Sequence, residues 1–348
     1  MTQPQGAHLV GSVNYDDAET TMRTAAIEMR GLLRRIPDGE PGSRFHWIMF
    51  QPDVLGETDG LERVGAERIP LRGLDARPLR IADGVDASSL RLPPLGYAAA
   101  ARASYRIFTR LREEGIIAAG VRFQVALPTP VAVVGSFFSG DDRAAFEPVY
   151  RDAMAREVDE ILAAIPHEDL AVQWDCAVEF ALIETHIYSG GVQPWWDSDL
   201  WEGVVARAAD VIDLIPAGVE AGVHLCYGDV AEKHFVEPAD TGNLVRFANS
   251  LIEEIKRPLT WLHLPVPIER DDDAYFAALE GLALPAGTEL YLGLVHREDG
   301  AEGAHRRIQT ALRHAPAFGV ATECGIGRAP AGTTEGILRT HAEVAAPW

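Results

Sequence analysis

Eight short apolar runs, each followed by a stretch with helical spacing, alternate along this chain. Strands joined through helices must lie parallel in one sheet, so this alternation restricts the fold severely. The runs fall at 8–12, 35–37, 121–127, 170–175, 221–225, 259–264, 289–295 and 319–322. Helices are predicted over 97–114, 143–164, 200–214, 241–256, 273–282, 301–314 and 334–345. An earlier helix starts behind Asp16, which forms a capping box with Glu19, and carries Ala18, Met22, Ala25, Ala26 and Met29 on one face. Eight such units close most naturally into a (β/α)8 TIM barrel. An open doubly wound sheet is the alternative, but no glycine-rich phosphate loop follows the first run. Residues 45–94 break the rhythm with frequent Gly, Pro and Asp. They are predicted as an insertion after the second strand, with strand character at 67–71 and 79–81. The whole of 1–348 reads as a single barrel domain.

At 348 residues the chain can bury about three quarters of its unfolded surface and needs no covalent staples. A net charge of -21 argues against nucleic acid and anionic membrane as partners, since both attract Lys and Arg. Three cysteines, Cys176, Cys226 and Cys324, are too few for a disulfide framework. Read as reduced thiols or metal ligands, they imply the cytoplasm. No basic start followed by an apolar run suggests a signal peptide, and no apolar stretch is long enough to span a bilayer.

In barrels of this kind the reacting groups lie at the C-terminal ends of the strands. Those ends supply Ser12, Asp38, Glu40, Thr129, Asp175, His224, Cys226, His263, His296, Glu323 and Cys324. His224 and Cys226 are two residues apart on a strand and so share a face. One imidazole and one thiolate there are half of a tetrahedral zinc site. Cys324 offers a second thiol on the same rim, which makes Zn2+ the expected cofactor, held by His224, Cys226 and Cys324. Cys176 reads as packed core. Trp195, Trp196 and Trp201 read as packing over the barrel mouth, with a roof over a planar substrate as the alternative.

These motifs resemble the cobalamin-independent methionine synthase superfamily, in its catalytic C-terminal barrel and short single-barrel relatives of the uroporphyrinogen decarboxylase type. Val10-Gly-Ser12 is similar to that family's Ile-Gly-Ser motif on the first strand, and Asp38-Gly-Glu40 with Arg44 to its His-Gly-Glu…Arg loop. Val172-Gln-Trp-Asp175 resembles its Ile-Gln-Ile-Asp-Glu-Pro segment. His224-Leu-Cys226-Tyr227 is similar to its zinc motif, and Glu323-Cys324-Gly325 with Arg328 to its Asp-Cys-Gly…Arg motif. The resemblance implies that Ser12, Glu40 and Asp175 contact substrate, the two acids through an amine. It also implies a fourth zinc ligand at the sixth strand, where a glutamate is replaced by His263; the histidine either ligates or leaves three protein ligands. Cys176 stands where the family has the glutamate of its Asp-Glu-Pro segment, and the long family members' N-terminal half has no counterpart here.

The reaction so implied is zinc-dependent methyl or alkyl transfer to a substrate thiol, activated as a zinc-bound thiolate. Its partners are a small-molecule thiol and an alkyl or methyl donor. His296 and Asp229 are the candidate proton donors to the leaving group. The alternatives are a lyase or decarboxylase on the same fold, an enzyme cleaving C–S or C–O bonds, and a barrel with only structural zinc.

Overall fold

The computed structural model describes residues 3–71, 73–186, 192–228 and 234–348. Among them eight parallel strands form one sheet. They are β1 (Ala7–His8), β2 (Arg35–Pro37), β3 (Arg122–Pro128), β4 (Leu170–Cys176), β5 (Glu220–Leu225), β6 (Trp261–Pro265), β7 (Glu289–Val295) and β8 (Gly319–Thr322). Strands β2 to β8 pair in chain order, and β8 pairs with β1. The remaining seam is closed by bridges between Ala7 and Leu33 and between Ser12 and Gly39. There the Ala7 N–H donates to the Leu32 carbonyl at 2.9 Å and the Val13 N–H to that of Gly39 at 3.0 Å. The chain is an α/β protein with the (β/α)8 barrel fold.

Parallel strands covered by helices are buried on both faces, and every residue of β4 and β6 is buried. Register stacks the interior in rows. Gln173, Gly222, Trp261 and Glu289 are lateral neighbours, and two residues further on so are Asp175, His224, His263 and Tyr291. The lower row packs only because Gly222 lacks a side chain. A Cβ there would come within 2.0 Å of the Trp261 indole. Below it the buried Arg35 guanidinium pairs with Glu220 at 2.5 Å and Glu289 at 2.8 Å, and lies 4.2 Å from the Trp261 ring centre.

The boundaries differ from the sequence reading in informative places. β1 stops at His8, because Gly11 and Ser12 leave the ladder to meet the loops after β2 and β8. The first helix, Ala18–Glu28, is capped by Asp17, whose side chain accepts from the Thr20 N–H at 2.7 Å, and not by Asp16. Two helices outside the insertion do not show in the sequence pattern. Pro130–Phe137 starts on a Thr129 cap with proline in its first turn, and Val178–His186 follows directly on β4. The expected helix over 273–282 is one α-turn, Asp273–Phe276, continued as a 3-10 helix, Ala277–Gly281.

The insertion after β2 holds two small antiparallel pairs. Leu61–Arg63 lies against Leu79–Ile81, and Pro70–Leu71 against Leu74–Asp75. It begins with a 3-10 stretch, Gly42–Phe50, broken at Trp47 with φ 56. Among the described residues no helix is long and apolar enough to cross a membrane.

Candidate metal centre

β5 and β8 are separated by two other strands, and the barrel's curvature turns their ends toward one another. The donor atoms of His224, Cys226 and Cys324 lie within 4.8 Å of one another, and the two sulfurs are 3.7 Å apart. A tetrahedral zinc ion with Zn–S bonds of about 2.3 Å sets two sulfurs roughly 3.8 Å apart. His224 Nε2 is buried and has no hydrogen-bond partner, although an unpaired buried nitrogen costs about 1–3 kcal/mol. The donor set, its spacing and that bare nitrogen fit a zinc ion.

The surroundings of Cys226 favour its thiolate. The Gly228 N–H donates to Cys226 Sγ at 3.3 Å, and Arg328 Nη2 lies 3.9 Å from Cys324 Sγ. The hydrogen bond between the two sulfurs lowers the Cys226 thiol and raises that of Cys324. The Cys324 loop is set by close packing. A Cβ on Gly325 would come within 2.3 Å of Ser12 Oγ, and the Ser12 carbonyl accepts from the Ile326 N–H at 2.8 Å. Ser12 thus sits directly beneath this loop.

His263 stands outside the cluster. Its Nδ1 is 2.7 Å from His224 Nδ1, and its Nε2 is 3.0 Å from the Thr322 carbonyl. Both ring nitrogens are therefore occupied within the protein, and burial holds the ring's pKa down at about 3.

Two buried carboxylates line the same end of the barrel. Asp175 is the lateral neighbour of His224. Its pKa is raised well above the usual carboxylate range by burial and by the Glu40 charge, while Gln173 Nε2 donates to its Oδ1 at 2.9 Å. Glu40 is raised to about 7, chiefly by burial and further by Asp38; Arg44 and Arg328 oppose the rise. Glu40 adopts φ 54, rare for a residue with a side chain. Gly39 before it, at φ 80, has Thr21 packed where a Cβ would lie. Asp38 is differently employed: Arg44 Nη2 donates to it at 2.5 Å and Ser104 Oγ at 2.7 Å, and its pKa stays low.

The remaining expected residues are less central. His296 Nε2 donates to the Val266 carbonyl at 2.9 Å; in a neutral ring its only proton therefore faces the backbone. Asp229 lies outside the described residues. Cys176 is fully buried and passes its carbonyl to the Cys226 N–H at 3.0 Å. The tryptophans pack on helices. Trp195 Nε1 donates to Glu147 at 2.8 Å, Trp196 fills the space over Gly203, and Arg246 lies over Trp201 at 3.8 Å.

Gln173 was missed as a site residue. Its two-residue spacing from Asp175 was the available signal. Its carbonyl oxygen is met by His8 Nε2 at 2.7 Å and Trp261 Nε1 at 3.3 Å, which fixes the amide so that its NH2 faces Asp175.

No protein-family model matches the chain, and no curated protein does. Solved structures do. A B12-independent methionine synthase from Shewanella sp. W3-18-1, in complex with selenomethionine, superposes with TM-score 0.56 at 15% identity over 98% of this chain and 96% of that one. A methyltransferase from Methanosarcina mazei gives TM-score 0.57 at 12% identity, over 99% of this chain and 94% of that one. Likeness at such identity establishes the shared barrel fold.

Proposed function

We propose that this chain is a zinc-dependent transferase that moves a methyl or other alkyl group onto the sulfur of a small-molecule thiol. One observation carries the reading: the buried, unpartnered Nε2 of His224 stands with the sulfurs of Cys226 and Cys324 in a cluster spaced for one tetrahedral ion. Three protein ligands leave a fourth position for substrate, as catalytic zinc sites do. A zinc ion bound there supplies the positive charge that lets a substrate thiol react as its thiolate near neutral pH. The substrate sulfur then forms a bond to the alkyl carbon, and the carbon's bond to its former carrier breaks with the electron pair leaving on the carrier.

The chain's own acids position the thiol. Glu40 and Asp175 are buried and both are held above the usual carboxylate range, Glu40 chiefly by burial and Asp175 by burial and by the Glu40 charge, a strain that a substrate ammonium group would relieve. Asp175 lies one strand from the metal ligand His224, so an amine held there places the same molecule's sulfur near the cluster. The names of the similar structures, a methionine synthase and a methyltransferase, support methyl as the transferred group.

Metal analysis of protein purified without chelator tests the proposal. About one zinc per chain is expected, with loss of most of it in Cys226→Ser and Cys324→Ser. X-ray absorption should add a third sulfur to the zinc shell when an amine-bearing thiol is supplied. Zinc below half an equivalent, or retained unchanged in both variants, overturns the reading.

A further inference from the structure

The hydrogen bonds behind His224 determine which of its nitrogens can bind a metal. The Thr322 carbonyl can only accept, so His263 Nε2, 3.0 Å away, must donate to it. Between His263 Nδ1 and His224 Nδ1, 2.7 Å apart, a single proton must lie. With none, two lone pairs face each other, and with two, two N–H groups collide. A neutral His263 has already placed its only proton on Nε2, so the shared proton belongs to His224 Nδ1. That leaves His224 Nε2 bare, and it is this nitrogen that is buried beside the two sulfurs without a partner.

The relay is anchored on the strand end that also carries a ligand. Thr322 precedes Cys324 by two residues, and its Oγ1 donates to the Cys324 carbonyl at 2.7 Å. The register explains why the two imidazoles meet, since His224 and His263 are direct lateral partners in β5 and β6.

We propose that His263 is a positioning residue and not a fourth ligand: it holds His224 in the tautomer whose Nε2 lone pair faces the metal, through the chain Thr322 carbonyl, His263, His224. This rests on the reading that the cluster binds zinc. It assigns the fourth position of the ion to substrate, because His263 has no nitrogen left to give. Groups that orient a ligating histidine typically contribute 10–100-fold to metal affinity.

The test uses the full chain labelled with 15N-histidine and loaded with 113Cd. Coupling of 113Cd to one imidazole, at Nε2 of His224, is expected, with His263 showing a protonated Nε2 and a bare Nδ1. Chelator competition should show His263→Leu losing roughly 10–100-fold in zinc affinity, and His263→Asn, whose amide oxygen can still accept from His224 Nδ1, losing markedly less. Coupling of 113Cd to a His263 nitrogen overturns the proposal while leaving the zinc reading standing, as does an unchanged affinity in His263→Leu. Failure of the native chain to take up either metal removes the zinc reading, and this proposal with it. The cadmium measurement needs no variant, so misfolding of His263→Leu would not block the decision.

Discussion

Replacing Glu40 by glutamine should stabilise this protein in alkaline solution and leave it nearly unchanged in acid. Glu40 is 8% exposed, and its pKa in the fold is about 7 against an ordinary 4.5. Below pH 4.5 the carboxyl is protonated in both folded and unfolded chains, and its burial as a neutral acid carries no ionic penalty. Between 4.5 and 7 the folded chain binds the extra proton, so stability falls as pH rises through that window. Above 7 the carboxylate is ionised in both states and the folded chain carries the full cost of the buried charge. About two and a half pH units at about 1.36 kcal/mol each give roughly 3 kcal/mol. Glu40→Gln keeps the shape and removes that cost. Removing the charge also relieves Asp175, which Glu40 pushes upward, and this acts in the same direction. Urea unfolding in the presence of chelator, at pH 5, 7 and 8.5, measures the effect through the midpoint at constant slope. The expected gain is roughly 3 kcal/mol at pH 8.5 and below about 1 kcal/mol at pH 5. A gain independent of pH, or a loss at pH 8.5, would refute the view that this acid is held without a full counter-charge.

Two further substitutions probe the barrel beneath the site. Gly222→Ala puts a methyl group within 2.0 Å of the buried Trp261 ring and should cost about 1–3 kcal/mol or more, read as a lowered urea midpoint. Arg35→Met removes the buried member of the pair and leaves Glu289 only the exposed Arg34 as an ion-pair partner, and should cost about 1–3 kcal/mol. Zinc content of the folded Arg35→Met protein should match that of the native chain, because Arg35 lies at the opposite end of the barrel; a parallel loss of metal would refute that separation.

The fold was legible because period carries it. The runs at 35–37, 289–295 and 319–322 coincide with β2, β7 and β8, since strands buried on both faces are continuous apolar stretches. The helices Pro130–Phe137 and Val178–His186 were hidden for a related reason. Both are short, and Pro130–Phe137 is almost wholly apolar while Val178–His186 buries Glu179 among its apolar residues, so neither shows the amphipathic stripe that marks a surface helix. The cluster of His224, Cys226 and Cys324 was legible because His224 and Cys226 alternate on one strand while the strand count places Cys324 on the same rim. The contact between His224 and His263 was not, since it depends on the register between β5 and β6, which leaves no mark in local sequence. Nor was the work of Gln173 legible, because its partners His8 and Trp261 come from two other strands.

The two ends of the barrel interior use their buried polar groups differently. At the lower end Arg35 meets Glu220 and Glu289, Tyr291 donates to Glu289 at 2.7 Å, and Gln173 is engaged by His8 and Trp261. One row higher, His224 Nε2 has no partner, two sulfurs face each other at 3.7 Å, and Glu40 and Asp175 share a region that destabilises both charges. A buried group left unpaired costs about 1–3 kcal/mol, and His224 Nε2 bears that cost beside two carboxyl groups whose charges burial destabilises. These groups are of two kinds, a soft N,S,S set suited to a metal and a pair of acids suited to a cation. Their adjacency across β4 and β5, through Asp175 and His224, is what a molecule with both a thiol and an amine would bridge.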